Sequence, residues 1–274
     1  MSFFTDEKSK LFSDLGMKCC MEGDLEKGLK YFNTGLEYNG DNVLLLYNKG
    51  GCLVSMGETE KAEAVFKRVI EICDKMGKFE FSLRTKANSY VFLNDPENAR
   101  IAFEELLEIA PDDVNALINM AQILKKKYHY EESLPYLDKA LKIDPQNSDA
   151  MMFKGEALYY LFRYDEAKDY IDRSFEISTE NHYIWYLKGE CESHFENHEK
   201  AVEYYSKAIE MEPNFERCYY DLGISLIILG RAEEAKVAFR KVFDMNPEDY
   251  EDERAELSDE IVDMLSQHFP RKDS

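Results

Sequence analysis

The sequence repeats itself every 34 residues, and this period constrains the fold more than any other feature. Pro111 and Pro145 are 34 residues apart. Pro213 and Pro247 have the same spacing, and Thr179 fills the slot between the two pairs. Counting from these marks gives seven repeats, at residues 9–42, 43–76, 80–113, 114–147, 148–181, 182–215 and 216–249. Three residues are inserted after repeat 2, and the repeats predict one domain over residues 1–274.

Three positions within each repeat indicate how its halves pack. The eighth position is always small, as Gly16, Gly50, Ala87, Ala121, Gly155, Gly189 and Gly223. The twentieth is also small, as Gly28, Ala62, Ala99, Ser133, Ala167, Ala201 and Ala235. The twenty-fourth is bulky, as Phe32, Phe66, Phe103, Leu137, Ile171, Tyr205 and Phe239. The pattern predicts two antiparallel helices that meet at the small residues, with the bulky side chain filling the gap toward the next pair.

The fifteenth position predicts where the first helix of each pair ends. Four repeats carry residues there that tolerate a positive φ, namely Gly23, Gly57, Asn94 and Gly230. Repeats 4 to 6 instead carry Tyr128, Phe162 and Glu196. We therefore expect these three turns to be capped differently, or to follow slightly longer helices.

The two small positions, the bulky, often aromatic position and the proline position of each repeat together resemble the tetratricopeptide repeat. The resemblance covers about 240 of the 274 residues. The stretch YYDLGISLIILGRAEEAKVAFRKVFDMNP and the endings KALKIDP and KAIEMEP carry the resemblance most clearly. It implies an all-α, right-handed superhelical solenoid of seven helix-turn-helix repeats, with the first helices lining a concave surface. It also implies protein recognition, as a scaffold or adaptor, without naming the partner.

The tail after the last repeat predicts a further amphipathic helix at about residues 252–269. Apolar residues recur there at a spacing of four, as Leu257, Ile261, Leu265 and Phe269. A solenoid exposes an apolar face at its end, so we expect this helix to cap repeat 7.

The resemblance places the binding residues on the first helices, and their chemistry changes along the chain. Repeats 3 and 4 contribute polar candidates, Arg84, Asn88, Asn119 and Gln122. Repeats 5 to 7 contribute aromatic, apolar and acidic candidates, Asp149, Met152, Phe153, Glu156, Tyr160, Tyr183, Tyr186, Leu187, Glu190, Tyr220 and Asp221. These residues favour a protein or peptide with apolar anchors and Lys or Arg. The alternative is that the tyrosines pack against the next helical pair.

One branch of the family binds the C-terminal carboxylate of heat-shock chaperones through basic residues and asparagines. Arg84, Asn88 and Asn119 resemble its first three binding residues. Asp149 and Phe153, however, stand where that branch has two basic residues. An acid there repels a carboxylate, so the sequence disfavours this co-chaperone role.

The charge balance narrows the partner class. Lys and Arg number 34 against 55 Asp and Glu, a formal net charge of −21. This surface repels nucleic acid and anionic membranes. The opening MSFFTDEKSK lacks the apolar run of a secretory signal, and the six cysteines include no C-x-x-C pair. We therefore expect a cytoplasmic protein with reduced thiols.

Signatures of catalysis, cofactor binding or metal binding are weak. The common nucleotide-binding and hydrolase strings do not occur. Cys191, His194 and His198 form C-x-x-H-x-x-x-H, but we expect His198 to lie in the interhelical turn and find no fourth ligand nearby. We therefore expect neither an enzyme nor a cofactor nor a metal site. A homo-oligomeric assembly protein is the main alternative to a binding scaffold.

Overall fold

The computed structural model describes residues 7–245, and these form fourteen α-helices in seven consecutive helical hairpins. The first helices are α1 (Glu7–Met21), α3 (Val43–Ser55), α5 (Glu80–Phe92), α7 (Val114–Lys126), α9 (Ser148–Tyr160), α11 (His182–His194) and α13 (Glu216–Ile228). The second helices are α2 (Leu25–Tyr38), α4 (Thr59–Met76), α6 (Pro96–Ile109), α8 (Tyr130–Ile143), α10 (Tyr164–Ile177), α12 (His198–Met211) and α14 (Ala232–Met245). The described residues contain no strand, and the predicted all-α repeat fold is confirmed.

The 34-residue period sets the helix boundaries. From repeat 2 to repeat 7, each first helix begins at the first residue of its predicted repeat, and in every repeat the second helix begins at the seventeenth. The chain falls into two compact units, Met1–Ile123 and Leu124–Ser274. The single domain over 1–274 stays a prediction, and the capping helix expected at about 252–269 lies outside the described residues.

Asparagine or aspartate ends repeats 1, 3, 4 and 5 and caps the first helix that follows. Asn42 accepts a hydrogen bond from the Leu45 N–H at 3.1 Å, and Asn147 accepts one from the Ala150 N–H at 3.0 Å. A side-chain oxygen at this position satisfies an N–H group that has no partner within the helix. The cap therefore fixes where α3, α7, α9 and α11 start.

The bulky twenty-fourth residue lies directly on the glycine of its own hairpin. A β-carbon at Gly50 would come within 2.7 Å of the Phe66 ring, and one at Gly189 within 2.5 Å of the Tyr205 ring. Phe66 also stacks on Phe92 of the next hairpin, with ring centroids 4.6 Å apart. The predicted contact of the twenty-fourth side chain with the next hairpin is thus only one of the contacts that it makes. The closer contact is with the glycine itself.

Gly50 and Gly51 are neighbours in α3 that should respond to alanine in opposite directions. Alanine normally stabilises a helix interior relative to glycine, by about 0.5–1 kcal/mol. Gly51 has open space around a β-carbon, so Gly51→Ala should raise the free energy of unfolding by that amount. Gly50→Ala should lower it by about 1–3 kcal/mol, because the buried Phe66 ring must move. Urea unfolding followed by circular dichroism measures both, and a stabilised Gly50→Ala would contradict the packing.

The prediction of a different cap in repeats 4 to 6 is wrong. Tyr128, Phe162 and Glu196 have φ values of 62°, 61° and 61°, close to the 75° of Gly57. The hydrogen bonds are also the same: the next N–H returns to a carbonyl five residues earlier, as from Arg163 to Leu158 and from Glu58 to Leu53. These bonds satisfy carbonyls at the helix end, and they hold the turn although a side chain at positive φ costs about 1 kcal/mol.

Candidate functional site

The polar candidates of repeats 3 and 4 are engaged with neighbouring groups. Arg84 donates from Nε and Nη2 to Asp113 Oδ2, at 2.9 and 2.8 Å, and from Nη2 to Glu80. Asn119 donates to the Asn115 carbonyl oxygen at 2.9 Å. Asn88 and Gln122 are half-buried. Because Arg84 is paired with acids of its own chain, these residues have few hydrogen-bond donors available for the carboxylate of a partner.

The remaining candidates lie in the second compact unit, on α9, α11 and α13. Asp149 is exposed, and Tyr220 is exposed at the end of the described repeats. Phe153, Tyr160, Tyr183, Glu190 and Asp221 are half-buried. Met152, Tyr186 and Leu187 are buried in the core.

The expectation that all these apolar side chains share an exposed face is therefore wrong for Met152, Tyr186 and Leu187. They belong to the core cluster of repeats 5 and 6. Tyr186 packs on the Phe215 ring, with centroids 4.9 Å apart. These three side chains support the surface from beneath.

Glu156 is the most deeply buried acid among the candidates, with 2% of its surface exposed. Lys125 Nζ donates to both of its carboxylate oxygens, at 3.0 and 2.9 Å, and the Tyr183 hydroxyl donates to Oε1. The same ammonium lies over the rings of Phe153 and Tyr183, 5.5 and 5.0 Å from their centroids. A buried charge needs such partners, and here they hold Lys125 in an acidic, aromatic setting.

A second group of acids surrounds Arg217. The Tyr186 hydroxyl donates to Asp221 Oδ2 at 3.0 Å, and the Tyr205 hydroxyl donates to Glu190 Oε1 at 2.7 Å. Burial raises the pKa of Asp221 to about 7, and repulsion from the Glu190 carboxylate adds to the shift. Burial also raises the pKa of Glu190.

The guanidinium of Arg217 lies among these acids and rings. It is 5.6 Å from the centroid of Tyr160 and 5.8 Å from that of Tyr186, and its Nε is 3.8 Å from Asp221 Oδ2. The side chain is nevertheless 56% exposed. Two tyrosine faces and a carboxylate thus form a setting that accepts a guanidinium.

Arg217 is absent from the sequence-based candidates, although the signal was present. It occupies the second position of repeat 7, one of the positions that line the concave surface in the family it resembles. The pattern of acids and aromatic residues on the first helices of repeats 5 to 7 does not single out an arginine. Its partner Tyr160 lies two repeats earlier, and a helix pattern gives no measure of that distance.

The Cys191, His194 and His198 group does not come together. Cys191 is buried, whereas His194 is exposed and stacks on Tyr164 with ring centroids 3.5 Å apart. His198 is the first residue of α12 and not a turn residue, which corrects the prediction. Among residues 7–245, no three His, Cys, Asp or Glu side chains lie in a metal-binding arrangement.

No helix in this part of the chain is long and apolar enough to span a membrane. Cytoplasmic location stays a prediction.

Comparison with known protein families identifies the same repeat that the sequence pattern resembles. Models of the tetratricopeptide repeat match residues 44–76, 84–148, 124–191, 182–215 and 204–237. The match at 182–215 coincides with predicted repeat 6. Proteins of this repeat family are generally interaction scaffolds and not catalysts. No curated protein matches the sequence significantly.

Solved structures share the fold at low sequence identity. A tetratricopeptide repeat protein from Parabacteroides merdae is 16% identical, with a TM-score of 0.64, and the match covers 95% of this chain and 99% of that one. PilF of Pseudomonas aeruginosa is 15% identical, with a TM-score of 0.60 over 76% of this chain and 93% of its own. At these identities the likeness concerns the fold alone.

Proposed function

Because the chain belongs to the tetratricopeptide-repeat family, we propose that it is a protein-interaction module that binds a partner segment carrying Lys or Arg beside apolar residues. The proposed site is the first-helix surface of repeats 5 to 7. We define it by Phe153, Tyr160, Tyr183, Glu190, Arg217 and Asp221. All six residues lie in the second compact unit.

The setting of Arg217 carries this proposal. The surface already holds one guanidinium against two rings and a carboxylate, so its chemistry suits another. The contact to Asp221 is long, at 3.8 Å, and the arginine is more than half exposed. A partner's arginine can therefore compete with Arg217 for these groups and face both Asp221 and Glu190.

Apolar contacts and overall charge support the same partner. Phe153 and Tyr160 are half-buried, so each ring keeps part of its surface for a ligand, and Tyr220 on α13 is exposed. The net charge of −21 attracts basic segments from a distance, an effect that salt weakens.

The test uses a labelled synthetic peptide with alternating Arg and Leu, and a matched peptide with Glu in place of Arg. We expect the Arg peptide to bind in a fluorescence anisotropy titration, and its affinity to fall with salt. Replacing both acids, Glu190→Gln with Asp221→Asn, should weaken binding about tenfold or more. Arg217→Ala should strengthen it several-fold, because the competing guanidinium is gone.

Glu203→Gln provides the matched control, since Glu203 is an exposed acid on the second helix α12. Equal affinity of the Glu peptide, or an unchanged affinity in the double variant, would move the site away from the first-helix surface. Light scattering of the same samples tests self-association, because only an oligomer shows a mass that rises with concentration.

A further inference from the structure

A ridge of aromatic side chains runs along the interhelical turns of repeats 4 and 5, outside the six residues of the first-helix surface except at Tyr160. The aromatic ridge consists, in spatial order, of Tyr128, Tyr130, Tyr160, Tyr159, Tyr164 and Phe162. Successive ring centroids are 6.4, 4.9, 5.7, 5.2 and 6.1 Å apart. These are contact distances for aromatic pairs, so the rings form one continuous surface.

The two ends of the aromatic ridge are unusually open to water. Tyr128 is 82% exposed and Phe162 is 77% exposed. Single exposed apolar residues are common, but here two exposed rings are joined by four half-buried ones into a larger aromatic patch, and such patches mark interaction surfaces. Tyr128 and Phe162 therefore differ from Tyr183 of the first-helix surface, which is half-buried.

Backbone conformation gives an independent reason to regard these two rings as functional. Tyr128 and Phe162 hold a positive φ at a turn where repeats 1, 2 and 7 have glycine. A bulky residue in this conformation costs backbone energy, and an exposed ring recovers little of it by burial. The hydrogen bonds of the turn hold this conformation for other side chains too, as at Glu196, so they give no reason for an aromatic ring; contact with another molecule gives one.

We propose that the aromatic ridge binds a proline-rich segment in the polyproline II conformation, flanked by basic residues. A polyproline II helix makes no internal hydrogen bonds, so its carbonyl groups need outside donors. Five of the six ridge residues carry a phenolic hydroxyl beside an apolar ring. The Tyr159 hydroxyl donates to the Glu190 carbonyl oxygen at 3.5 Å, and the other four supply both a donor and a face for proline. The segment is already rigid, so it loses little entropy on a shallow surface.

Acidic residues beside the aromatic ridge set the charge of the partner. Glu131 follows Tyr130 in the first turn of α8, Asp165 follows Tyr164 in the first turn of α10, and both are exposed. Arg163, which follows Phe162, is paired with Glu166 at 2.7 and 2.8 Å, so its charge is balanced. Lys126 and Lys127 precede Tyr128, so the ridge is acidic at its Phe162 end, and a basic residue beside the prolines there is favoured over an acidic one.

The test separates the loss of an aromatic ring from the relief of backbone strain at a positive φ. Phe162→Gly and Tyr128→Gly each remove a ring and relieve a positive φ. Glu196→Gly relieves the same φ, 61°, in the next repeat but removes no ring, so it is the matched control. The probe is a synthetic peptide of about eight prolines, three residues per turn, with arginines at both ends. Peptides with Gly-Ser in place of proline, or Glu in place of Arg, serve as comparisons.

We expect the Arg-flanked proline peptide to bind the full chain more tightly than either comparison peptide. All three glycine variants should unfold at higher urea concentration than the wild type. Affinity should fall about tenfold in Phe162→Gly and in Tyr128→Gly, and stay unchanged in Glu196→Gly. Because the ring variants are also the more stable proteins, misfolding cannot account for a loss of binding.

Three results would overturn the proposal. One is a proline peptide that binds no better than its Gly-Ser counterpart, and another is wild-type affinity in both ring variants. The third is loss of proline-peptide binding in Asp221→Asn, which would place the peptide on the first-helix surface. Failure of the Arg-Leu peptide experiment leaves these outcomes unaffected, so the two proposals are tested separately.

Discussion

Ala62→Arg should lower the free energy of unfolding by about 3 kcal/mol or more. Ala62 occupies the small twentieth position on α4, is buried, and packs in one cluster with Leu53 and Phe66. An arginine there must push the two helices of the hairpin apart, or bury a guanidinium that has no partner. Urea unfolding followed by far-ultraviolet circular dichroism measures the loss.

Ala64 lies two residues further along the same helix and is exposed. Ala64→Arg makes the same chemical change without burial, so we expect an effect within about 0.5 kcal/mol. Helix propensity changes equally in both variants, and the comparison therefore isolates the packing contact. Similar losses in the two proteins would mean that the twentieth position is not the closest approach of the helices.

The fold could be predicted from the sequence because one contact recurs in every repeat. Where two helices touch, one of them must carry Gly or Ala, and the pairing of Gly50 with Phe66 shows the reason. The turns of repeats 4 to 6 could not be predicted in the same way. Local preference disfavours a positive φ for Tyr128 and Phe162, but the hydrogen bonds of the turn override it.

The sequence was enough to predict which helices carry the candidate site, but not which of its side chains are buried. The period assigns Tyr160, Tyr183 and Glu190 to the first helices, and all three are half-buried in the structure, Tyr183 against Glu156 and Tyr160 under Arg217. The 34-residue period does not tell which side chains on the first-helix face are covered by the following helix. That depends on the direction of each side chain and on how neighbouring hairpins pack. Tyr186 therefore proved to be core.

The pH dependence of folding should change clearly when Asp221 is replaced by asparagine. Because its pKa is raised from 3.8 to about 7 in the folded protein, the folded state holds a proton that the unfolded state has released between these values. The contribution of Asp221 to stability therefore falls as the pH rises from about 4 to about 7, and the full penalty remains above that range. The asparagine side chain of the Asp221→Asn variant does not titrate, so this variant lacks the penalty.

We expect Asp221→Asn to match the wild type near pH 4 and to be about 2–4 kcal/mol more stable near pH 8. Urea unfolding at several pH values measures the difference between the two proteins, which cancels the titration of the many other acids. Asp149→Asn is the control, because Asp149 is an exposed acid on α9, and its curve should stay parallel to that of the wild type.

The same titration links stability to the proposed binding of a basic segment. An ionised Asp221 attracts a partner's guanidinium and a protonated one does not, so wild-type affinity for the Arg-Leu peptide should rise as the pH passes about 7. In Asp221→Asn the affinity should be lower and change less with pH, since Glu190 is then the nearest acid and no longer faces a second carboxylate. Parallel stability curves for the wild type and Asp221→Asn would show that Asp221 is not held protonated. A pH-dependent affinity that survives in Asp221→Asn would assign the attraction to another acid.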